Sequence, residues 1–530
     1  MGLAWIAPAL MLAAATGTRG REAFRIGYVA GFAFHLATLH WLLNIPVTGF
    51  PILGWIALSA YLALYQATWV WIVSGASRHL SNKSSWLSRT SWALFGAAAW
   101  VAMEMIQARL LSGYPWHLLG VSQYKLIPLV QIASITGVYG VSFIVVWFSL
   151  SLFTTVQMLL RKPASRYAWL GEILLPLFVV LGLFGFGMAR LRTAQDDARP
   201  TIRVTFIQPS IPQTMIWNEA EDDARFQQLL QLTALALTNE TDLLLWPEAA
   251  VPKKLRYHDE MLQPIAELAR SNRVWMIVGS DDAEPSKHPR NPDDADNFNS
   301  SFLISPDGEL AQRYCKRNLV MFGEYIPLVR WLPFLTWFVP GSADSVGFTA
   351  GDRVTPFVLD RWGERPREPE LPNAGSSSAA SPHPPVKTAP LICFEDVFPH
   401  YVRESVSDDT DFLVNLTNDG WFGEGSEQWQ HAAAATFRAV ENNVPMLRCC
   451  NNGLTCWIDS RGRIRQIFRD DKGSVYGAGV MTAQIPVLSP GEKREPTFYN
   501  RHGDWFGWGC VAVAAVATLT RLTSILRRKS

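Results

Sequence analysis

The sequence predicts a polytopic α-helical membrane domain joined to a layered α/β domain, with one more membrane helix at the C-terminus. Three observations lead there. Residues 1–190 are mostly apolar runs separated by short basic loops, residues 200–500 mix short apolar runs with polar helical stretches, and a last apolar run covers 504–526. The expected divisions are 1–195, 200–500 and 504–526. With 530 residues, 49% hydrophobic content, 22 Trp and a net charge of +1, the chain has material for two domains. Nothing in that charge argues for a nucleic-acid partner.

Membrane spans are expected at about 2–16, 24–44, 52–75, 91–112, 128–160 and 169–190, about six in all, with a last one near 504–526. Most meet the ~20 residues that a helix needs to cross a bilayer. The loops alternate in charge. Arg19, Arg21 and Arg25 mark one, Arg78, Lys83 and Arg89 another, Arg161, Lys162 and Arg166 a third, while 45–51 has no charge and 113–127 has only Lys125. The positive-inside rule places the basic loops in the cytoplasm, the α/β domain on the outer face, and the tail Arg527-Arg528-Lys529 back inside. Met1 then falls outside, which leads us to expect a further helix upstream. Glu104, His35 and His40 lie within spans, where a polar group either pairs with a neighbouring helix or lines a polar cavity.

In the α/β domain, strands are expected at Ile202–Ile207, Leu243–Trp246, Trp275–Gly279, Ser301–Ile304, Leu391–Phe394, Phe412–Leu416, Met446–Arg448 and Cys456–Ile458. Helices are expected at Glu221–Asn239, His258–Ser271 and Trp429–Asn442. Strands alternating with helices indicate layers. Residues 362–389, rich in Pro, Ser, Ala and Gly, read as a disordered insertion between two strands. The six cysteines are too few and too scattered for a disulfide framework. Cys449-Cys450 with Cys456 matches no zinc spacing and has no accompanying His, so no metal is expected.

Three segments carry chemistry. Leu243-Leu-Leu-Trp-Pro-Glu248 is an apolar strand ending in a carboxylate, where partial desolvation favours a proton acceptor. Leu391-Ile-Cys393-Phe-Glu395 puts a thiol at the end of another buried strand. Attack requires the thiolate, hence a base and a cation nearby. Lys316, in Cys-Lys-Arg-Asn, supplies a cation that also suits the oxyanion of a tetrahedral intermediate. Singly, each has an ordinary reading: a structural strand-end Glu, an inert core Cys, a solvated Lys. The case lies in the trio.

The order Glu248, Lys316, Cys393 and its local contexts resemble the carbon–nitrogen hydrolase (nitrilase) superfamily. Further segments extend the resemblance over nearly the whole chain to the apolipoprotein N-acyltransferase family. These are Ile207-Gln-Pro-Ser-Ile-Pro-Gln213 through Trp217, Phe322-Gly-Glu324-Tyr-Ile-Pro327, Asn418-Asp-Gly-Trp-Phe422, Trp429-Gln-His431, Asn451-Asn-Gly453 and Gly113-Tyr-Pro-Trp116.

The resemblance implies an αββα four-layer sandwich and a Glu248–Lys316–Cys393 triad supported by Glu324 and Glu395, with Trp217, Phe394 and Trp421 on the substrate side. It implies transfer of a fatty acyl chain from a membrane phospholipid, through a Cys393 thioester, to the α-amine of a lipoprotein's N-terminal diacylglyceryl-cysteine. No cofactor is implied. A monomer in the bacterial inner membrane is, with its catalytic domain on the periplasmic side. Trp331–Pro340 is expected either to dip into lipid as a flexible arm or to pack as core. Against the family pattern, one N-terminal span is lacking, the insertion is long and Cys449-Cys450 is atypical. The rival readings are a membrane-anchored amidase with the same triad and water as acceptor, and a catalytically dead membrane protein. An anchor needs one span and a dead protein need not keep the triad.

Overall fold

The computed structural model describes residues 2–527 apart from 19, 47–49, 78–84, 161–166, 168, 194–198, 217, 288–293, 328–346 and 361–384. Trp217, the expected arm 331–340 and most of the expected insertion lie outside the described residues.

The helical region runs α1 (Ala7–Ala14), α2 (Arg21–Thr38), α3 (Phe50–Ser77), α4 (Trp86–Gln107), α5 (Ile127–Val130), α6 (Ala133–Thr136), α7 (Val138–Leu160) and α8 (Leu170–Arg192). Among the described residues, Pro51–Ser77, Val138–Leu160 and Leu170–Arg192 are long and apolar enough to cross a membrane. At ~1.5 Å per residue each spans the ~30 Å of a hydrocarbon core. α8 turns Leu174, Leu177, Phe178 and Leu181 outward, an apolar surface suited to lipid. α2 opens on Arg21, Glu22 and Arg25, three charges in 18 residues.

The run 128–160, expected as one span, is divided into α5, α6 and α7. Gly137, at φ +67°, leaves the right-handed region and turns the chain before α7. The first expected span holds only the eight residues of α1 and a short 3₁₀ turn at Gly2–Trp5. The polar groups of this region have neighbours as partners. Glu104 accepts from the Trp100 indole (2.9 Å) and the Leu119 amide (2.7 Å), and His35 lies 3.3 Å from Gln66 of α3. His40 instead bonds the Ala37 carbonyl one turn back, at 3.0 Å.

The α/β region runs β1 (Thr201–Gln208), α9 (Gln213–Ile216), α10 (Asp222–Ala236), β2 (Leu243–Leu245), α11 (Asp259–Asn272), β3 (Trp275–Pro285), β4 (Ala295–Ile304) and β5 (Leu310–Cys315). It continues with β6 (Phe357–Leu359), β7 (Val386–Ile392), α12 (Pro399–Glu404), β8 (Phe412–Thr417), α13 (Glu427–Asn442), β9 (Met446–Cys450), β10 (Cys456–Ile458), β11 (Ile464–Ile467) and β12 (Gly479–Pro486). α14 (Phe498–His502) and α15 (Trp505–Arg527) close the chain.

The strands form two six-stranded sheets, β12-β1-β2-β3-β4-β5 and β11-β10-β9-β8-β7-β6. β1–β3 and β7–β9 are the parallel centres. Val204, Phe206, Leu243, Leu245 and Ile277 of one sheet pack against Phe412, Val414, Leu416 and Leu447 of the other. Leu244, Trp246 and Met276 face the opposite way, toward Phe226 and Leu229 of α10 and Ile265 of α11. Leu391, Leu413 and Met446 likewise meet Ala432, Ala435 and Ala439 of α13. The result is the four-layer αββα sandwich. Strands buried on both faces explain why these segments read as unbroken apolar runs.

Two of the shifted boundaries concern Cys393 and its strand. The strand expected to reach Phe394 stops at Ile392, and Cys393–Val397 is a 3₁₀ turn. Val386–Ala389, expected within the insertion, belong to β7, paired antiparallel with β6.

Candidate active site

Glu248 stands three residues beyond β2. The Trp246 amide bonds the Ile277 carbonyl (2.9 Å), its indole bonds Thr233 (2.9 Å), and Ala249 takes φ +47° to turn the chain. β3 passes so close that a Cβ on Gly279 would lie 2.2 Å from the Pro247 carbonyl oxygen, so only glycine fits. Lys316 directly follows β5, its amide donating to the Asn299 carbonyl of β4 at 2.8 Å. Cys393 directly follows β7 in the left-handed region, at φ +52°. Both sheets therefore deliver their groups from strand ends, the usual place for a site in an α/β fold.

Lys316 is 1% exposed. Its Nζ donates to Glu324 Oε1 at 2.7 Å and to Glu248 Oε1 at 3.3 Å. The Asn299 side-chain amide donates to the same two oxygens, at 2.8 Å to Glu248 and 3.1 Å to Glu324. The other oxygen of Glu324 accepts from the Val320 amide at 2.8 Å. Glu248 Oε2 is buried and has no protein partner among the described residues. Burial opposes the charge on Lys316, but Glu324, Glu248 and Cys393 together hold its pKa well above the ordinary value. The Cys393 thiol is pushed well up by burial and by Glu248, against the pull of Lys316 and a hydrogen bond with Thr417. Cys393 rests as a thiol beside a carboxylate with a free acceptor oxygen and a fixed ammonium. That set can deprotonate a nucleophile and receive an oxyanion.

Glu395 secures the turn. Its carboxylate accepts from the Tyr314 hydroxyl (2.9 and 2.8 Å) and the amides of Arg317 (2.7 Å), Asn318 (3.1 Å) and Ile392 (2.8 Å). It thus joins the Lys316 segment to the Cys393 segment. Burial raises its pKa against the pull of the Ile392 and Arg317 amides.

Behind Cys393 lies a buried charged cluster. His431 Nε2 is 2.8 Å from Asp396 Oδ1 and 3.3 Å from the Cys393 carbonyl oxygen, and its Nδ1 is 2.9 Å from Asp419 Oδ1. Arg448 pairs with Asp396 and reaches Asp419 at 3.5 Å. Burial and Arg448 oppose the imidazolium, yet Asp396 and Asp419 raise the His431 pKa to about 10. Burial and Asp419 raise that of Glu427 well above the usual carboxyl range. Asp419, Glu427 and His431 bring ligand atoms within 4.8 Å of one another, the one such grouping among the described residues. With Arg448 and a charged His431 already balancing Asp396 and Asp419, this donor set does not require a cation.

The structure thus brings Glu248, Lys316, Cys393, Glu324 and Glu395 together. Phe394 packs in an aromatic cluster, 5.9 Å from each of Trp116 and Tyr114 and 5.0 Å from Phe398 (ring centroids). Trp421 is half-buried on the turn Asp419–Phe422. Sequence reasoning assigned no role to Asn299, Thr417, Asp396 or Arg448, which occur in no distinctive pattern. It noted Trp429-Gln-His431 without assigning it a task. Cys449 and Cys450 face opposite sides of β9. Cys449 Sγ lies 3.4 Å from the Ile207 and Leu245 carbonyls in the sheet–sheet core, Cys450 Sγ 3.8 Å from Asp419.

Comparison with known proteins bears on this geometry. Residues 203–486 match the carbon-nitrogen hydrolase family, and residues 1–151 match the apolipoprotein N-acyltransferase N-terminal domain. An apolipoprotein N-acyltransferase of Geobacter metallireducens is 35% identical, covering 100% of this chain and 92% of the relative. One from Vibrio vulnificus is 28% identical over 97% of this chain and 91% of its own. Among solved structures, an amidase from Nesterenkonia sp. AN1 covers 54% of this chain and 93% of its own, at 15% identity and a TM-score of 0.36.

Proposed function

From the premise that the chain belongs to the apolipoprotein N-acyltransferase family of carbon–nitrogen hydrolases, we propose how its site carries out acyl transfer. The protein is a membrane-associated acyltransferase, and its substrates are read as a phospholipid acyl donor and a diacylglyceryl-apolipoprotein acceptor. Glu248 Oε2 takes the Cys393 proton as Sγ attacks the ester carbonyl carbon of the phospholipid. Lys316 stabilises the oxyanion. The ester C–O bond breaks, the proton on Glu248 passes to the departing oxygen, and a lysophospholipid leaves with a thioester on Cys393. The α-amine of the acceptor then attacks the thioester carbon and gives a proton to Glu248. The C–S bond breaks, the thiolate recovers the proton, and the N-acylated product leaves.

The observation that carries this reading is the division between the two carboxylates on Lys316. Glu324 has both oxygens engaged, whereas Glu248 keeps Oε2 unpartnered and is electrostatically coupled to Cys393. That suits Glu248 to proton transfer and Glu324 to holding the lysine. The same reading includes the segment boundaries 1–195, 200–500 and 504–526, a monomer in the bacterial inner membrane, and the sandwich on the periplasmic side, supported by the run of basic loops. The apolar helices in front of the sandwich favour a membrane lipid as donor over a soluble amide.

The test supplies purified protein with a phospholipid and a synthetic diacylated lipopeptide. Release of lysophospholipid in step with N-acylation of the peptide supports transfer. Release of free fatty acid at the same rate with and without the peptide would make the protein a hydrolase.

A further inference from the structure

Gln430 and His431 are adjacent residues in the first turn and a half of α13 (Glu427–Asn442), and they look toward different parts of the molecule. Gln430 Oε1 accepts from the indoles of Trp41 (3.2 Å) and Trp116 (2.8 Å) and lies 3.1 Å from His117 Nε2. Its Nε2 reaches the Thr38 carbonyl at the end of α2, at 3.3 Å. One amide thereby gathers two separate stretches of the helical region, 38–41 and 116–117. Trp41 also packs on Phe422 (4.6 Å between ring centroids), and Trp116 on both Phe394 (5.9 Å) and His431 (5.2 Å).

His431 faces the nucleophile. It contacts the Cys393 carbonyl directly and also holds Asp396, whose other oxygen accepts from the Asn415 amide (2.6 Å) that donates to the same Cys393 carbonyl (3.1 Å). Cys393 sits at φ +52°, a conformation that costs a non-glycine residue energy and persists only where the surroundings hold it. The bonds on its carbonyl are part of that hold.

We propose that Gln430 and His431 are positioning residues that couple the docked helical region to the conformation of the Cys393 turn. Because they are neighbours on a rigid helix, a shift of the aromatic segments held by Gln430 displaces the imidazole that grips the turn. The nucleophile is then aligned with Lys316 and Glu248 only when Trp41 and Trp116 are seated. This rests on the reading above that Cys393 is the acylated nucleophile. It adds that thioester formation is tied to the lipid-facing part of the protein.

Full-length Gln430→Ala, Gln430→Glu and His431→Asn would be purified in detergent beside wild type. Two rates would be followed by mass spectrometry of the Cys393 peptide: alkylation by iodoacetamide, and acylation by phospholipid in mixed micelles. Gln430→Ala and His431→Asn are expected to slow alkylation and lower the kcat of acylation by on the order of tenfold to a hundredfold, with KM within about twofold. Gln430→Glu keeps an acceptor oxygen for both indoles but loses the donor to the Thr38 carbonyl, and is expected to recover part of the rate lost in Gln430→Ala. A Gln430→Ala protein with wild-type rates, a loss confined to KM, or a loss that Gln430→Glu does not relieve would overturn the coupling. If wild type is never acylated while the alkylation pattern holds, the coupling stands and the acyl-transfer reading fails.

Discussion

The Lys316 ammonium is bound more closely by Glu324, at 2.7 Å, than by Glu248, at 3.3 Å. The lysine is thus anchored by a carboxylate whose other oxygen is tied to a backbone amide, and the second carboxylate is left able to take a proton. In Glu324→Gln the ammonium would draw toward Glu248 and make it a weaker base. We expect kcat/KM for acyl transfer to fall about 100-fold, some 2.7 kcal/mol of transition-state stabilisation, with the protein still folded. Steady-state kinetics beside thermal unfolding checks both halves.

Asn299 donates to both carboxylates through one side-chain nitrogen and so fixes their spacing. Asn299→Ala should lower kcat roughly tenfold, the loss of about 1.4 kcal/mol expected when a hydrogen bond to charged groups is removed. Asn299→Asp should be worse, since it puts a third negative charge against Glu248 and Glu324. Equal activity in the two variants would count against a role for the amide donor.

Glu395 concerns stability first. Glu395→Gln would replace an acceptor with a donor facing backbone amides and should cost about 1–3 kcal/mol, whereas Tyr314→Phe removes one donor and should cost about 1 kcal/mol. Thermal unfolding in detergent should rank Glu395→Gln below Tyr314→Phe, and both below wild type.

Asp281, on β3, is a further carboxyl near the triad. Burial, Glu248 and Glu324 raise its pKa to about 7 from 3.8. The folded state therefore retains a proton that the unfolded chain releases. Its contribution to stability is full below about pH 4 and is lost as pH rises through about 7. Asp281→Asn should flatten that decline, so its melting temperature should gain on wild type between pH 5 and pH 8. A parallel pH dependence in the two proteins would mean that Asp281 is not held protonated.

Much of this was legible in the sequence because buried parallel strands write themselves as apolar runs. Ile202–Ile207, Leu243–Trp246 and Phe412–Leu416 were expected as strands and lie in the sheet centres. The four strands not anticipated, β5, β6, β11 and β12, are all sheet edges. β11, Ile464-Arg-Gln-Ile467, mixes polar residues into an edge, so no apolar run marks it, whereas β6, Phe357–Leu359, is apolar and buried but only three residues long. Gly137 shows the opposite failure: 128–160 carries no charge, and the backbone turn at Gly137 breaks it before α7.

In the site, Glu248, Lys316 and Cys393 each follow a strand, and their type and order identified them. Asn299 and the His431 cluster act through partners 12 to 52 residues away in sequence, and Thr417 lies on the strand next to that of Cys393, so no local spacing marks them. The 3₁₀ turn at Cys393 was missed for a related reason. Its left-handed backbone is imposed by Asn415, Glu395 and His431, and cysteine has no propensity that would signal it.

In the proposed mechanism Cys393 carries the acyl group and Glu248 takes its proton. The mass of the Cys393 peptide, after the purified protein meets phospholipid without an acceptor, reads both steps. One fatty-acyl adduct is expected on Cys393 in wild type, none in Cys393→Ala, and an adduct formed far more slowly in Glu248→Gln, with a diacylated lipopeptide discharging it. Acylation at another cysteine, or equally fast adduct formation in Glu248→Gln, would contradict that mechanism.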